Sequence, residues 1–163
     1  MLEFGDNPKA GIYIANSRVG ALHIARLCTK HCVAASLHVA EGAEILLVSA
    51  YFQYAEPIEP HILEVDRVLD HLQGKSAVIG VDANAHSPIW FSHQRHYTGR
   101  GQDAVNIRTQ TEDFINGRGL IIGNREGQPY TFSGPNGDSN IDLTLTTRGA
   151  VVSDWKVHSD ISQ

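Results

Sequence analysis

Gly80-Val81-Asp82-Ala83-Asn84-Ala85-His86, entered from the apolar run Ser76-Ala77-Val78-Ile79, decides the reading of this chain. A short buried strand delivers an acid and an amide to its C-terminal end, two residues apart, so strand alternation points both to the same side. Buried strand positions favour apolar residues, so polar groups gathered at a strand exit of an α/β sheet mark a site. An Asp there can hold or deprotonate a water, and an Asn can donate to or accept from the group under attack. The plainer alternative is a strand end followed by an Asx-turn, with Asn84 bonded to backbone.

The 163 residues suffice for one domain with a real core, and no repeat, low-complexity tract or linker divides them, so residues 1–163 are expected to form a single domain. The hydrophobic share is 42% and the charged share 19%, ordinary for a globular protein. No apolar run is long enough to span a bilayer, and Met1–Asp6 has neither the basic flank nor the apolar stretch of a signal peptide. Cys28 and Cys32 lack zinc-type partners nearby and read as free thiols of a reducing compartment. Acids outnumber bases 18 to 13, which argues against a protein that coats nucleic acid but not against a local basic patch beside an acidic centre.

Outward from the opening stretch, residues 10–15, 32–39 and 44–51 read as strands of an antiparallel meander, and 22–27 as a weakly alternating strand or a helix. Ile62, Leu63, Val65, Val68, Leu69 and Leu72 recur at helical spacing over 61–72, and Gly74 stops that helix. A long polar loop spans 85–103 and a second helix 106–116. A short strand at 120–122 follows. Residues 129–133 and 141–146 read as strands around the turn Gly134–Asp138. Helices interleaved with strands suggest an α/β sandwich with a mixed or mainly antiparallel sheet. Tyr51, Asp82 and Asn84 all fall at strand ends. Asp142 lies inside an apolar strand, where a carboxylate has to be exposed, paired or orienting another group such as a histidine.

Ser49-Ala50-Tyr51, Gly80–His86, Thr131-Phe132-Ser133 and Ser139-Asn140-Ile141-Asp142 occur in that order. Together they resemble the endonuclease/exonuclease/phosphatase superfamily. The set is most similar to the apurinic-type endonuclease domain of non-LTR (LINE-type) retrotransposon polyproteins. Asp82–Trp90 is especially like insect elements that insert into ribosomal DNA or telomeric repeats. The resemblance runs from about residue 10 to the end of the chain. It implies a DNase I-like, four-layered α/β/β/α sandwich and Mg2+- or Mn2+-assisted hydrolysis of a DNA phosphodiester, leaving a 3′-hydroxyl that primes reverse transcription. Within it Asp82 activates or positions water, and Asn84 orients that water or binds the phosphate. Tyr51 contacts the phosphate or stabilises the leaving group, and Asp142 orients a histidine. The family's early Asn and Gln-Glu motifs and its closing Ser-Asp-His are not found between Met1 and Gln163, so the resemblance implies a domain truncated at both ends.

Ser133, Gly134, Pro135, Asn136, Ser139 and Asn140 belong to a loop that, in the retrotransposon branch, is proposed to enter the minor groove; Arg95 and Arg100 add positive charge beside the site. The implied partners are double-stranded target DNA and the reverse transcriptase domain of the same polyprotein, with no membrane, and the implied place of action is the nucleus. His86, His93 and His96 match no standard zinc spacing. Trp90 and Phe91 read as core. The alternatives are a catalytically incomplete DNA-binding module and a phosphatase on the same scaffold.

Overall fold

The computed structural model describes all residues except 17, 39–42, 72–73, 93–100, 136 and 159–163. Eight strands are present among them: β1 (Gly20–His23), β2 (Cys32–His38), β3 (Glu44–Tyr51), β4 (Ser76–Asp82), β5 (Ile121–Ile122), β6 (Phe132–Gly134), β7 (Gly137–Ser139) and β8 (Asp142–Thr146). The two α-helices are α1 (Ile58–Asp70) and α2 (Gly101–Gly117). Six strands form one mixed sheet in the order β1-β2-β3-β4-β8-β5, and β6 and β7 make a separate ribbon.

β1, β2 and β3 pair antiparallel as a meander, but the segment read at 22–27 divides: β1 covers Gly20–His23, and Ala25–Leu27 form a short 3-10 helix. β3 and β4 are parallel, joined by α1 as a β–α–β unit, and β8 returns antiparallel to β4. Alternation gives the sheet two unlike faces. Leu46, Val48 and Ala50 of β3, Ala77, Ile79 and Val81 of β4, and Leu143 and Leu145 of β8 are buried. They share that core with Val65, Val68 and Leu69 of α1 and Phe114 and Ile115 of α2. In α1 the buried positions Ile58, His61, Val65, Val68 and Leu69 follow the three-four spacing of one helix face. Pro57 precedes the helix and Pro60 lies in its first turn, where backbone N–H groups have no helical partner to lose. Arg118 joins the helices to each other from the end of α2, its Nε 2.6 Å from Asp66 and its Nη1 2.7 Å from Asp70.

Three expectations need correction. Residues 10–15 contribute only an isolated bridge, Ile12 to Leu2. α2 begins at Gly101 rather than 106, because its first turns carry helix-compatible polar residues that no apolar stripe announces. Residues 129–133 do not pair with 141–146. The ribbon closes within itself at Gly134↔Gly137, which frees β8 to join the main sheet. The described residues thus supply a mixed sheet and one helical layer of an α/β fold. Trp90 is fully buried, as a core residue should be, with its indole N–H donating to the Ala85 carbonyl at 3.2 Å.

Candidate active site

The helix-free face of the sheet carries the polar residues. Register places Tyr51 opposite Asp82 and Asp82 opposite Asp142, a row across three adjacent strands. The next row on that face is Ser49, Gly80 and Thr144. These residues are small, so the floor sinks into an open groove of about 640 Å³ that both rows line. Lys9, Ala10 and Gly11 border it, as do Trp155, Lys156 and Val157. The Trp155 indole N–H donates to Thr144 Oγ1 at 2.9 Å and holds that segment against the groove.

Backbone bonds fix the row. Phe52 N–H donates to the Asp82 carbonyl at 2.9 Å, Ala83 N–H to Ile141 at 2.8 Å, and Tyr51 N–H to His31 at 2.9 Å. Burial, and then the charge of Asp142, push the Asp82 carboxyl up to about 6, against the pull of the Asn84 N–H. The Asp142 carboxyl is also raised by partial burial, with the Thr131 side chain opposing the rise. Asp142 still meets water, since it stands on the floor of an open groove and is not enclosed.

Asn84 departs from the alternation expected of it. β4 ends at Asp82, and Asn84 takes a left-handed backbone with φ 47°, which Asn tolerates better than most residues. Its N–H donates to Asp82 Oδ1 at 3.2 Å, and its amide donates to the Phe52 carbonyl at 2.9 Å. The Asx-turn is thus present, and the Asn84 amide is bonded to backbone beside Asp82. The side chain lines a second cavity of about 350 Å³, between the start of α1 and the first half of α2, with Glu56, Glu59, His86 and Asp103.

Thr131 escaped the sequence reading as a positioning group. Its hydroxyl oxygen accepts from the N–H groups of Ile141 and Asp142, each at 3.1 Å. Asn124 completes the local support, donating to the Asp142 carbonyl and accepting from Thr144 N–H, both at 2.9 Å. Lys9 and Lys156 were also missed; nothing but the folded groove brings them together.

The residues expected to touch DNA divide into two sets. Ser133 and Pro135 are exposed on the ribbon with Phe132, and Ser133 Oγ donates to Asp138 at 2.5 Å. Gly134 packs on the Phe132 ring, whose carbons lie 2.9 Å from where a Cβ would stand. Ser139 and Asn140 are buried at the base of the ribbon and do not reach outward. Asn140 donates from its amide to the Phe91 carbonyl at 3.1 Å, takes the Thr131 N–H at 3.2 Å, and anchors the ribbon. Asn136, Arg95, Arg100, His93 and His96 lie outside the described residues. His86 Nδ1 is 3.1 Å from Ser92 Oγ, and burial lowers the pKa of its ring.

Cys28 and Cys32 are free, and burial raises both thiols, Cys32 to about 12, as inert structural cysteines require. A group that the sequence reading did not find is His31, Glu56 and His61, whose ligand atoms all lie within 4.8 Å of one another.

The sequence model of a family described as endonuclease-reverse transcriptase matches residues 45–162, which include the whole of the Tyr51, Asp82 and Asp142 row. A retrovirus-related Pol polyprotein from the type-1 retrotransposable element R1 of Bradysia coprophila is 34% identical over 117 residues, covering 70% of this chain and 12% of the relative. A 115 kDa protein in the type-1 retrotransposable element R1DM of Drosophila melanogaster is 30% identical over 156 residues, covering 91% of this chain and 15% of the relative. The chain thus spans a small part of the curated relatives it matches. Among solved structures, the endonuclease domain of TRAS1, a telomere-specific non-LTR retrotransposon, superimposes with a TM-score of 0.68 at 24% identity. That match covers 83% of this chain and 59% of the other, and establishes the same DNase I-like α/β fold. The match across β3, β4, α2 and β8 settles the kinship: this chain belongs to the endonuclease-reverse transcriptase family.

Proposed function

We propose that this chain is part of an endonuclease domain that nicks double-stranded target DNA, the nick priming reverse transcription by a domain of the same polyprotein. The observation that carries the reading is the row Tyr51, Asp82 and Asp142 on the floor of an open groove, with Asn84 bonded to Asp82. Such a nick is made and used on chromosomal DNA, so the place of action is the nucleus.

Asp82 and Asp142 fit a hard cation, since they offer carboxylate oxygens and each disfavours its own ionised form without a counter-charge. Mg2+ or Mn2+ bound there would neutralise charge on the phosphoryl oxygens. Asp82, kept ionised beside such a cation, positions the attacking water and takes its proton. The water oxygen bonds to phosphorus as the P–O3′ bond breaks, and the departing O3′ takes up a proton, leaving a 3′-hydroxyl and a 5′-phosphate. Tyr51 donates to a phosphate oxygen, Asn84 holds the orientation of Asp82, and Asp142 orients a histidine. The two lysines at the groove edge bind flanking phosphates.

The test is conversion of supercoiled plasmid to relaxed circles in Mg2+, by this chain and by a version lengthened with polyprotein sequence on both sides. EDTA is expected to stop it, and Tyr51→Phe and Asp142→Asn to slow it by about 10²-fold. Undiminished nicking by both variants would defeat the assignment. Duplex binding without nicking in either length would favour a binding module instead.

The lysines give a separate expectation. Lys9→Ala with Lys156→Ala should weaken binding to all sequences alike and flatten the dependence of log affinity on log salt by about 2, near 1 per phosphate contact. An unchanged slope in a salt titration would remove both from the interface.

A further inference from the structure

We infer that His31, Glu56 and His61 form a binding site for a zinc-class divalent ion, built from residues other than the carboxylate row. Their ligand atoms lie within 4.8 Å of one another. His31 and His61 are 4% and 2% exposed, and Glu56 is half-buried at the open end. Neither ring nitrogen of His61 has a hydrogen-bond partner among the described residues, whereas buried polar groups normally have one. Its Nε2 is 3.4 Å from Glu56 Oε2, outside hydrogen-bond geometry, and its ring meets that of His31 edge-on with centroids 4.7 Å apart. Gln53 Oε1, 3.2 Å from His31 Nε2, is at hand as a further oxygen donor.

Two imidazoles and one carboxylate with room for a fourth donor are a ligand set of zinc type. The all-oxygen pair Asp82 and Asp142 suits a harder ion, so donor chemistry would sort two ions between neighbouring sites. His31 lies just before β2, Glu56 in the β3–α1 connection and His61 in the first turn of α1. An ion would tie that connection down. The connection follows Tyr51 and carries the Phe52 carbonyl that holds the Asn84 amide, and the His31 carbonyl takes the Tyr51 N–H. The ion would therefore position Tyr51 of the row and the neighbouring Asn84 without touching DNA.

The experiment titrates Zn2+ by calorimetry and Co2+ by visible absorption into chelator-treated, folded protein. One ion per chain, four-coordinate Co2+ bands and a raised Tm are expected in excess Mg2+. Glu56→Gln and His61→Gln should each weaken binding by more than about tenfold, the least that loss of even an outer-shell partner costs, and Asp82→Asn should leave it unchanged. If His61→Gln does not fold, Glu56→Gln decides alone, because its side chain sits at the solvent edge. Absence of uptake would overturn the site, as would uptake that survives Glu56→Gln or disappears in Asp82→Asn. None of these results depends on nicking, so the nuclease reading and the zinc site stand or fall separately.

Discussion

Asp82→Asn is expected to cut nicking by about 10²–10⁴-fold, the range for loss of a general base, and also to raise the Tm of the metal-free protein at neutral pH. The second effect follows from the first residue's setting. The Asp82 carboxyl is raised from 3.8 to about 6 by burial and by Asp142. In the unfolded chain it loses its proton near its ordinary value, and in the fold only near 6. Between those points the folded state binds more protons than the unfolded state, so stability falls as pH rises through that window and stays lowered above it. Below the unfolded value both states are protonated and the deficit is absent.

Asparagine keeps the shape and removes the charge. The variant should therefore melt higher than the parent at about pH 7.5 and at the same temperature near pH 3.5. Mg2+ should narrow the gap by stabilising the parent alone. Melts of both proteins at the two pH values, with and without Mg2+, check it. A variant that melts lower at neutral pH would mean that Asp82 supports the fold and is not held there against it. Sites that carry function at a cost to stability commonly behave in this way.

The same residue shows what the chain discloses by itself. β4 and the Asp82 exit were legible because Ala77, Ile79 and Val81 alternate with positions that face the groove, and α1 because its apolar spacing is clean. Asp142 was legible because a carboxylate between Ile141 and Leu143 is out of place in an apolar strand. Asn84 was misdirected because alternation holds only while the strand lasts, and a left-handed residue two positions on redirects the side chain. Ser139 and Asn140 looked like loop residues, since turn composition does not distinguish an exposed tip from an anchored base. Lys9 and Lys156 come from opposite ends of the chain, and His31, Glu56 and His61 from two connections and a helix; no local pattern encodes such meetings.

Thr131→Val should destabilise the protein by about 2 kcal/mol, because it leaves the buried Ile141 N–H, and with it the Asp142 N–H, without an acceptor. Valine matches threonine in shape, so the loss is one of hydrogen bonding rather than of packing volume. A hydroxyl has two acceptor positions and one proton. Here both acceptor positions are filled, and the proton is left for the Asp142 carboxylate or the Ser139 carbonyl, the latter 3.4 Å away. Losing that donor also removes the larger of the two hydrogen bonds that hold the Asp142 carboxyl down, the other coming from its own backbone, so its proton affinity should rise further. Nicking should then fall more than stability alone explains, with its activity limb moved to higher pH. Thr131→Ser, which keeps the hydroxyl and drops only a methyl, should restore most of both. Urea unfolding with pH–rate profiles of the two variants checks this. If serine proves no better than valine, the methyl packs and the hydroxyl is idle; if valine loses stability but keeps the parental pH profile, Thr131 supports the ribbon alone and Asp142 is positioned by Asn124.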